Sequence, residues 1–130
     1  MTFKPGKPSI EDGEYNTWAG WAVEPKKGNI KPWTELLSHI FGDEIMARDW
    51  FEQWIAYPMQ NPGAKMFTSV VIWGPEQGTG KSLLGYTIGS IYGDNFTEIG
   101  NAELHSTFNE WAINRQFVMG DEITVSDRRT

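Results

Sequence analysis

An uncharged run, MFTSVVIW (66–73), leads into a glycine-rich decapeptide, WGPEQGTGKS (73–82), and then into LLGYTIGSIY (83–92). The first run is β-branched and aromatic, which reads as a strand buried on both faces, as in a parallel sheet. Leu83, Leu84, Ile88 and Ile91 recur at helical spacing, which predicts a helix from Ser82 to Tyr92. A buried strand that delivers a glycine loop to a helix N-terminus limits the fold to few options. Its backbone N–H groups converge where the helix is most electropositive, and that suits an anion.

The usual phosphate-binding loop is spelled G-x-x-x-x-G-K-[ST]. Counting back from Gly80 reaches Pro75, and Gly74 stands one place too early, so the strict spelling fails. The physical requirements are nevertheless present. Gln77, Gly78, Thr79 and Gly80 form a short loop, small at its glycines, that lets backbone donors approach phosphate oxygens. Lys81 can reach β- and γ-phosphates, and the Ser82 hydroxyl can meet magnesium. The extra residue falls on the strand side of the loop, where added length is most easily absorbed. The plainer alternative is a glycine-rich turn with an incidental lysine.

A second motif bears on that choice. RQFVMGDEI (115–123) reads as a strand that runs straight into two carboxylates. Alone, an acidic pair at a strand end is usually a solvated loop. Here the stretch between Lys81 and Asp121 leaves room for one helix, one strand and one helix. In that geometry Asp121 can hold the magnesium that Ser82 touches, and Glu122 can orient or deprotonate the attacking water.

The remaining chain fits around this unit. Residues 1–15, rich in Pro, Gly and charge, read as an extended arm or linker. Residues 16–62 read as a mostly helical segment. Within it, Leu36, Leu37, Ile40 and Phe41 share a face of a helix begun near Pro32 and stopped by Gly42. A second helix is predicted from Asp43 to Tyr57, with Met46, Ala47, Trp50, Phe51, Trp54 and Ile55 as its stripe and Pro58 as its end. Residues 63–130 read as the first part of a P-loop core. They hold the strand 66–73, a short strand at Phe96–Ile99, and a capping box at Thr107–Glu110 with Leu104, Phe108 and Trp111 on one helical face. The order strand, loop, helix, strand, helix, strand defines an α/β fold, with a parallel sheet flanked by helices.

Composition excludes several classes. The 130 residues contain no cysteine, so neither disulfides nor Cys-based zinc sites are possible. No signal-peptide pattern and no apolar run of membrane-spanning length is present, which points to the cytoplasm, without membrane association. A net charge of −6 disfavours nonspecific nucleic-acid binding, and Lys26, Lys27 and Lys31 form only a modest basic patch. His39 and His105 have no second ligand at useful spacing. The tryptophans could stack bases, but at helical spacing in an acidic chain they read as core.

The runs YNTWAGWAVEP (15–25), IAYPMQNPGAK (55–65), WGPEQGTGKSLLG (73–85) and FNEWAINRQFVMGDEI (108–123) resemble the helicase part of bacteriophage and plasmid primase–helicase proteins. These are superfamily 3 helicases, a branch of the AAA+ ATPases. The resemblance spans about residues 15–128 and is most specific at QGTGKS, Phe108-Asn109 and the strand ending in GDE. It implies ATP and magnesium as cofactors, with hydrolysis by Lys81, Ser82, Asp121 and Glu122. It also implies a homo-hexameric ring on single-stranded DNA during replication, inside a bacterial host cell. In such proteins a fourth strand separates the lysine-loop strand from the Asp-Glu strand. A sensor residue and an arginine finger lie further on, and Arg128 and Arg129 fit neither role by sequence. The expectation is therefore an N-terminal piece of a longer ATPase. Two other readings stay open. One is a nucleotide-binding module without catalysis. The other is a small P-loop kinase, with its lysine and aspartate strands side by side, for which residues to build an acceptor site and lid are lacking.

Overall fold

A computed structural model describes residues 1–75 and 78–123, apart from the Glu11 side chain. Gln77, Arg128 and Arg129 therefore lie outside the described residues. The chain is α/β, with helices packed around a two-stranded parallel sheet.

The N-terminal arm is more ordered than its composition suggests. Strands β1 (Ile10–Glu11) and β2 (Glu14–Tyr15) pair antiparallel across Asp12-Gly13, whose φ angles are +51° and +78°. Two positive φ values in a two-residue loop mark the turn type that matches strand twist, and Asp-Gly favours it. Asn16, 4% exposed, anchors the arm: its Oδ1 accepts from Lys4 N–H at 2.8 Å, and its Nδ2 donates to Lys4 O at 2.7 Å.

Helix α1 (Lys31–Phe41) has Pro32 in its first turn, and Gly42 (φ +57°) closes it by donating to Ser38 O at 2.9 Å. Leu37 is fully buried, with Leu36, Ile40 and Phe41 packed beside it, as the apolar spacing requires. Helix α2 (Ile45–Gln60) runs past Pro58 instead of ending there. Proline removes one N–H, but its φ is helical, and in a last turn that loss is small; Asn61 N–H still bonds Tyr57 O at 2.9 Å. The predicted six-residue stripe is narrower in fact. Phe51 and Ile55 are buried and Trp54 is partly so, whereas Met46 and Trp50 are exposed. The helix meets α1 where the Phe41 and Phe51 rings lie 5.3 Å apart, and Arg48 of its first turn donates to Ser38 Oγ of α1 at 3.0 Å.

Helix α3 (Lys81–Tyr92) forms the centre. Leu84, Ile88 and Tyr92, one turn apart, are buried in the core with Leu37, Phe51 and Ile55, while Leu83 is 59% exposed. Each such apolar side chain contributes roughly 1.5–3 kcal/mol on burial. Strands β3 (Phe96–Ile99) and β4 (Phe117–Gly120) pair parallel, Phe96 opposite Phe117 and Ile99 opposite Gly120, and α3 packs across both. Alternate residues of β4 face the helix: Phe117 stacks on Tyr92 at 5.5 Å and Met119 lies over Gly85. The WAGW stretch closes the far end of α3. Trp21 lies 5.1 Å from Tyr92, Trp18 Nε1 donates to Gln116 Oε1 at 2.8 Å, and buried Asn95 donates to Gly20 O at 2.9 Å. These tryptophans are packing groups, in line with the core reading.

Two expectations are corrected. Residues 66–73 belong to no ladder among the described residues. Val70 and Ile72 are partly buried against the core, while Phe67, Val71 and Trp73 are 97%, 79% and 85% exposed. Among the described residues no strand lies beside the run, and it meets the core only through Val70 and Ile72. The helix expected around Thr107–Glu110 is also absent. A short helix, α4 (Asn101–Leu104), and a single 3-10 turn, Glu110–Ala112, take its place. Phe108 is 73% exposed, and the Glu103 carboxylate, not Glu110, accepts from a helix-start N–H, that of Gly100 at 2.9 Å. With no partner on which to lay an apolar face, the longer helix does not form.

Gly85 and Gly89 explain how α3 sits so close to the sheet, and they give a paired prediction. A Cβ on Gly85 would overlap the Met119 sulfur, and one on Gly89 would lie 2.8 Å from the Phe96 ring. Methionine can swing aside; the Phe96 ring is held against Phe117 at 5.7 Å. Gly85→Ala is therefore expected to be near neutral, since the better helix former offsets a small rearrangement of about 1 kcal/mol. Gly89→Ala should destabilise by about 1–3 kcal/mol. Urea unfolding of both variants checks this, and equal midpoints would contradict the packing account.

Candidate functional site

The site is built where the glycine loop turns into α3. Gly78 has φ +73° and Gly80, at the helix N-cap, φ +93°, both in the left-handed region that glycine enters without strain. Left-handed residues at this spacing turn successive N–H groups toward one point, an anion-binding nest. No side chain caps the helix at Gly80. Thr79 Oγ1, between the two glycines, is buried and has no hydrogen-bond partner among the described residues. An unsatisfied hydroxyl of this kind costs about 1–3 kcal/mol unless something meets it. Phosphate oxygens fit both the donors and the hydroxyl.

Lys81, the first residue of α3, is partly buried and reaches back over the loop entrance. A Cβ on Gly74 would lie 3.5 Å from its Nζ. Gly74, one place too early for the strict spelling, thus sits where a first loop glycine would face the ammonium. On the other flank, Leu36 of α1 leaves no room for a side chain at Gly80, with Cδ1 2.9 Å from a Cβ there.

Ser82 and Asp121 are brought together. Ser82 Oγ donates to Asp121 Oδ1 at 2.8 Å, across 39 residues of sequence. Asp121 follows β4 directly, two residues past Met119 on the same pleat, so the strand aims it at the head of α3 just as it aims Met119 at Gly85. Glu122 is not drawn into this pair. It is exposed and holds φ +53°, an uncommon conformation for a residue with a side chain.

The sequence reading missed two residues. The Tyr86 hydroxyl donates to Glu98 Oε2 at 2.7 Å, linking α3 to β3 beside the Ser82–Asp121 pair. That hydrogen bond first, and then the charges of Glu98, Asp121 and Glu122 among the lesser causes, push the Tyr86 hydroxyl up to about 12. The signal was available: Tyr86 is four residues after Ser82, on the same helical face, and Glu98 is the one charge in its strand.

Among the described residues no cluster of three or more His, Asp or Glu side chains could hold a metal by itself. One hydroxyl and one carboxylate suit magnesium, which keeps most of its waters and takes its other ligands from phosphate. Among the described residues no helix is long and apolar enough to cross a membrane. No known protein family matches the chain, and no curated protein or solved structure does either.

Proposed function

We propose that this chain is the ATP-binding portion of a P-loop ATPase of the superfamily 3 helicase type, in which ATP hydrolysis drives DNA unwinding. The observation that supports this most is the Ser82–Asp121 hydrogen bond, which joins two motifs found independently in the sequence. In this reading Gln77 to Ser82 cradle the triphosphate and Lys81 neutralises its terminal oxygens. Ser82 keeps its proton, donates its O–H to Asp121 as a hydrogen bond, and leaves its oxygen lone pairs for the metal. Asp121 balances the metal's charge, and Glu122 orients the attacking water. Magnesium, when bound, spreads the charge that develops on the transferred phosphoryl group.

β4 pairs parallel with β3, and among the described residues 66–73 lie in no ladder, so no side-by-side pairing of the lysine-loop segment with the aspartate strand supports the kinase alternative. Single-stranded DNA, in this proposal, is gripped by a homo-hexameric ring, since one chain with net charge −6 holds phosphates poorly. A second reading, nucleotide binding without catalysis, draws on Glu122, which stands outside the Ser82–Asp121 pair.

Titration of the chain with a fluorescent ATP analogue and magnesium tests the proposal. Saturable binding, displaced by unlabelled ATP and by ADP, is expected. Absence of binding at millimolar nucleotide would remove both readings, and binding without turnover in an assembled ring would leave only the second.

A further inference from the structure

Helix α3 rests on the sheet over Gly85 and Gly89. Glycine contacts allow close approach but offer no ridge to lock a helix along its own axis. Directional ties must do that, and two side-chain hydrogen bonds join the first half of α3 to the sheet. Ser82 is tied to Asp121 beyond β4 at 2.8 Å, and Tyr86 to Glu98 of β3 at 2.7 Å. Glu98 is in register with Met119, so it shares the helix-facing side of the sheet with Met119 and, two residues on, with Asp121. If Ser82 also binds magnesium, it does so through a lone pair while its O–H stays on Asp121, so both contacts depend on where the first turn of α3 is held. The tie one turn further along is untouched by that event.

Resting on the nucleotide reading above, we propose that Tyr86 and Glu98 are positioning residues for the magnesium site: their hydrogen bond fixes the first turns of α3 on the sheet so that Ser82 Oγ stays opposed to Asp121. Neither belongs to the phosphate loop. The raised pKa of the tyrosine accords with the bond and means that it keeps its proton at any physiological pH.

The test uses Tyr86→Phe, Glu98→Ala and Glu98→Gln in the full chain, with a fluorescent ATP analogue titrated in excess magnesium and again in EDTA. Tyr86 is 42% exposed, so removing its hydroxyl should leave the fold intact, which circular dichroism checks. Tyr86→Phe and Glu98→Ala are expected to lower the magnesium-dependent gain in affinity by about three- to ten-fold, the usual net size of one hydrogen bond. Their affinity in EDTA should match the wild type. Glu98→Gln, whose amide oxygen accepts the same bond, should recover most of the gain. A merely structural role would lower both affinities together. If the wild type shows the gain and both disruptive variants keep it, or if EDTA affinity falls equally, the positioning role is refuted while nucleotide binding stands. If the wild type shows no nucleotide binding at all, the nucleotide reading fails and takes the positioning role with it.

Discussion

Lys81→Ala is expected to weaken ATP binding by about 100-fold, from the loss of about 3 kcal/mol of charge-assisted hydrogen bonding to phosphate. The argument is geometric as well as electrostatic. The ammonium lies back over Gly74, at the loop entrance, and Gly78 and Gly80 hold the left-handed φ angles with which a loop can turn its backbone donors to an anion. Backbone N–H groups survive the substitution, so residual binding should remain and should depend more weakly on salt. Stability should change by no more than about 1 kcal/mol, because alanine is a good helix former at the first position of α3. Isothermal titration with ATP, alongside thermal unfolding of both proteins, separates the two effects. Equal affinities in wild type and variant would mean that the loop is a turn with an incidental lysine. A large fall in melting temperature would mean that Lys81 is structural.

What the sequence made legible was local or carried by strong periodicity. The glycine loop, α3 and the two short strands followed from turn chemistry and apolar spacing, and the convergence of Ser82 with Asp121 followed from placing each motif at the end of its element. What it did not reveal depends on neighbours. An uncharged run such as 66–73 reads the same whether strands flank it or not, and here, with no strand laddered beside it among the described residues, Phe67, Val71 and Trp73 are exposed. The stripe of α2 likewise looks continuous, although α1 covers only the part around Phe51 and Ile55. Thr107–Glu110 has cap spelling with no surface to pack on, and Glu103 takes the cap instead. The Asp12-Gly13 hairpin was readable, yet its two-residue strands are too short for a period to show. Tyr86 and Glu98 were overlooked for another reason: neither belongs to a motif, and the local signs they carry, Tyr86 one turn past Ser82 and Glu98 the one charge of its strand, name each other as partners only once α3 is laid on β3.

Asp121→Asn should separate the metal from the fold. Asparagine retains a side-chain carbonyl oxygen that can accept the Ser82 hydroxyl at the same place, so the tie between α3 and the end of β4 survives. What is lost is the negative charge. Magnesium bound through one hydroxyl, phosphates and water depends on a nearby carboxylate to orient its waters and balance its charge, and losing such a partner typically costs about 10- to 100-fold in metal affinity. The variant should therefore melt with the wild type, bind ATP equally well in EDTA, and gain little when magnesium is added. Ser82→Ala gives the complementary result. It removes both the ligand and the tie, so a loss of magnesium response should come with some loss of stability, about 1 kcal/mol for one partly buried hydrogen bond. Magnesium titrations at fixed ATP, read by a fluorescent analogue, distinguish the cases. If Asp121→Asn retains the full magnesium response, the carboxylate serves only to hold the helix. The resemblance of the Gly-Asp-Glu strand to an ATPase metal site would then carry no chemistry in this chain.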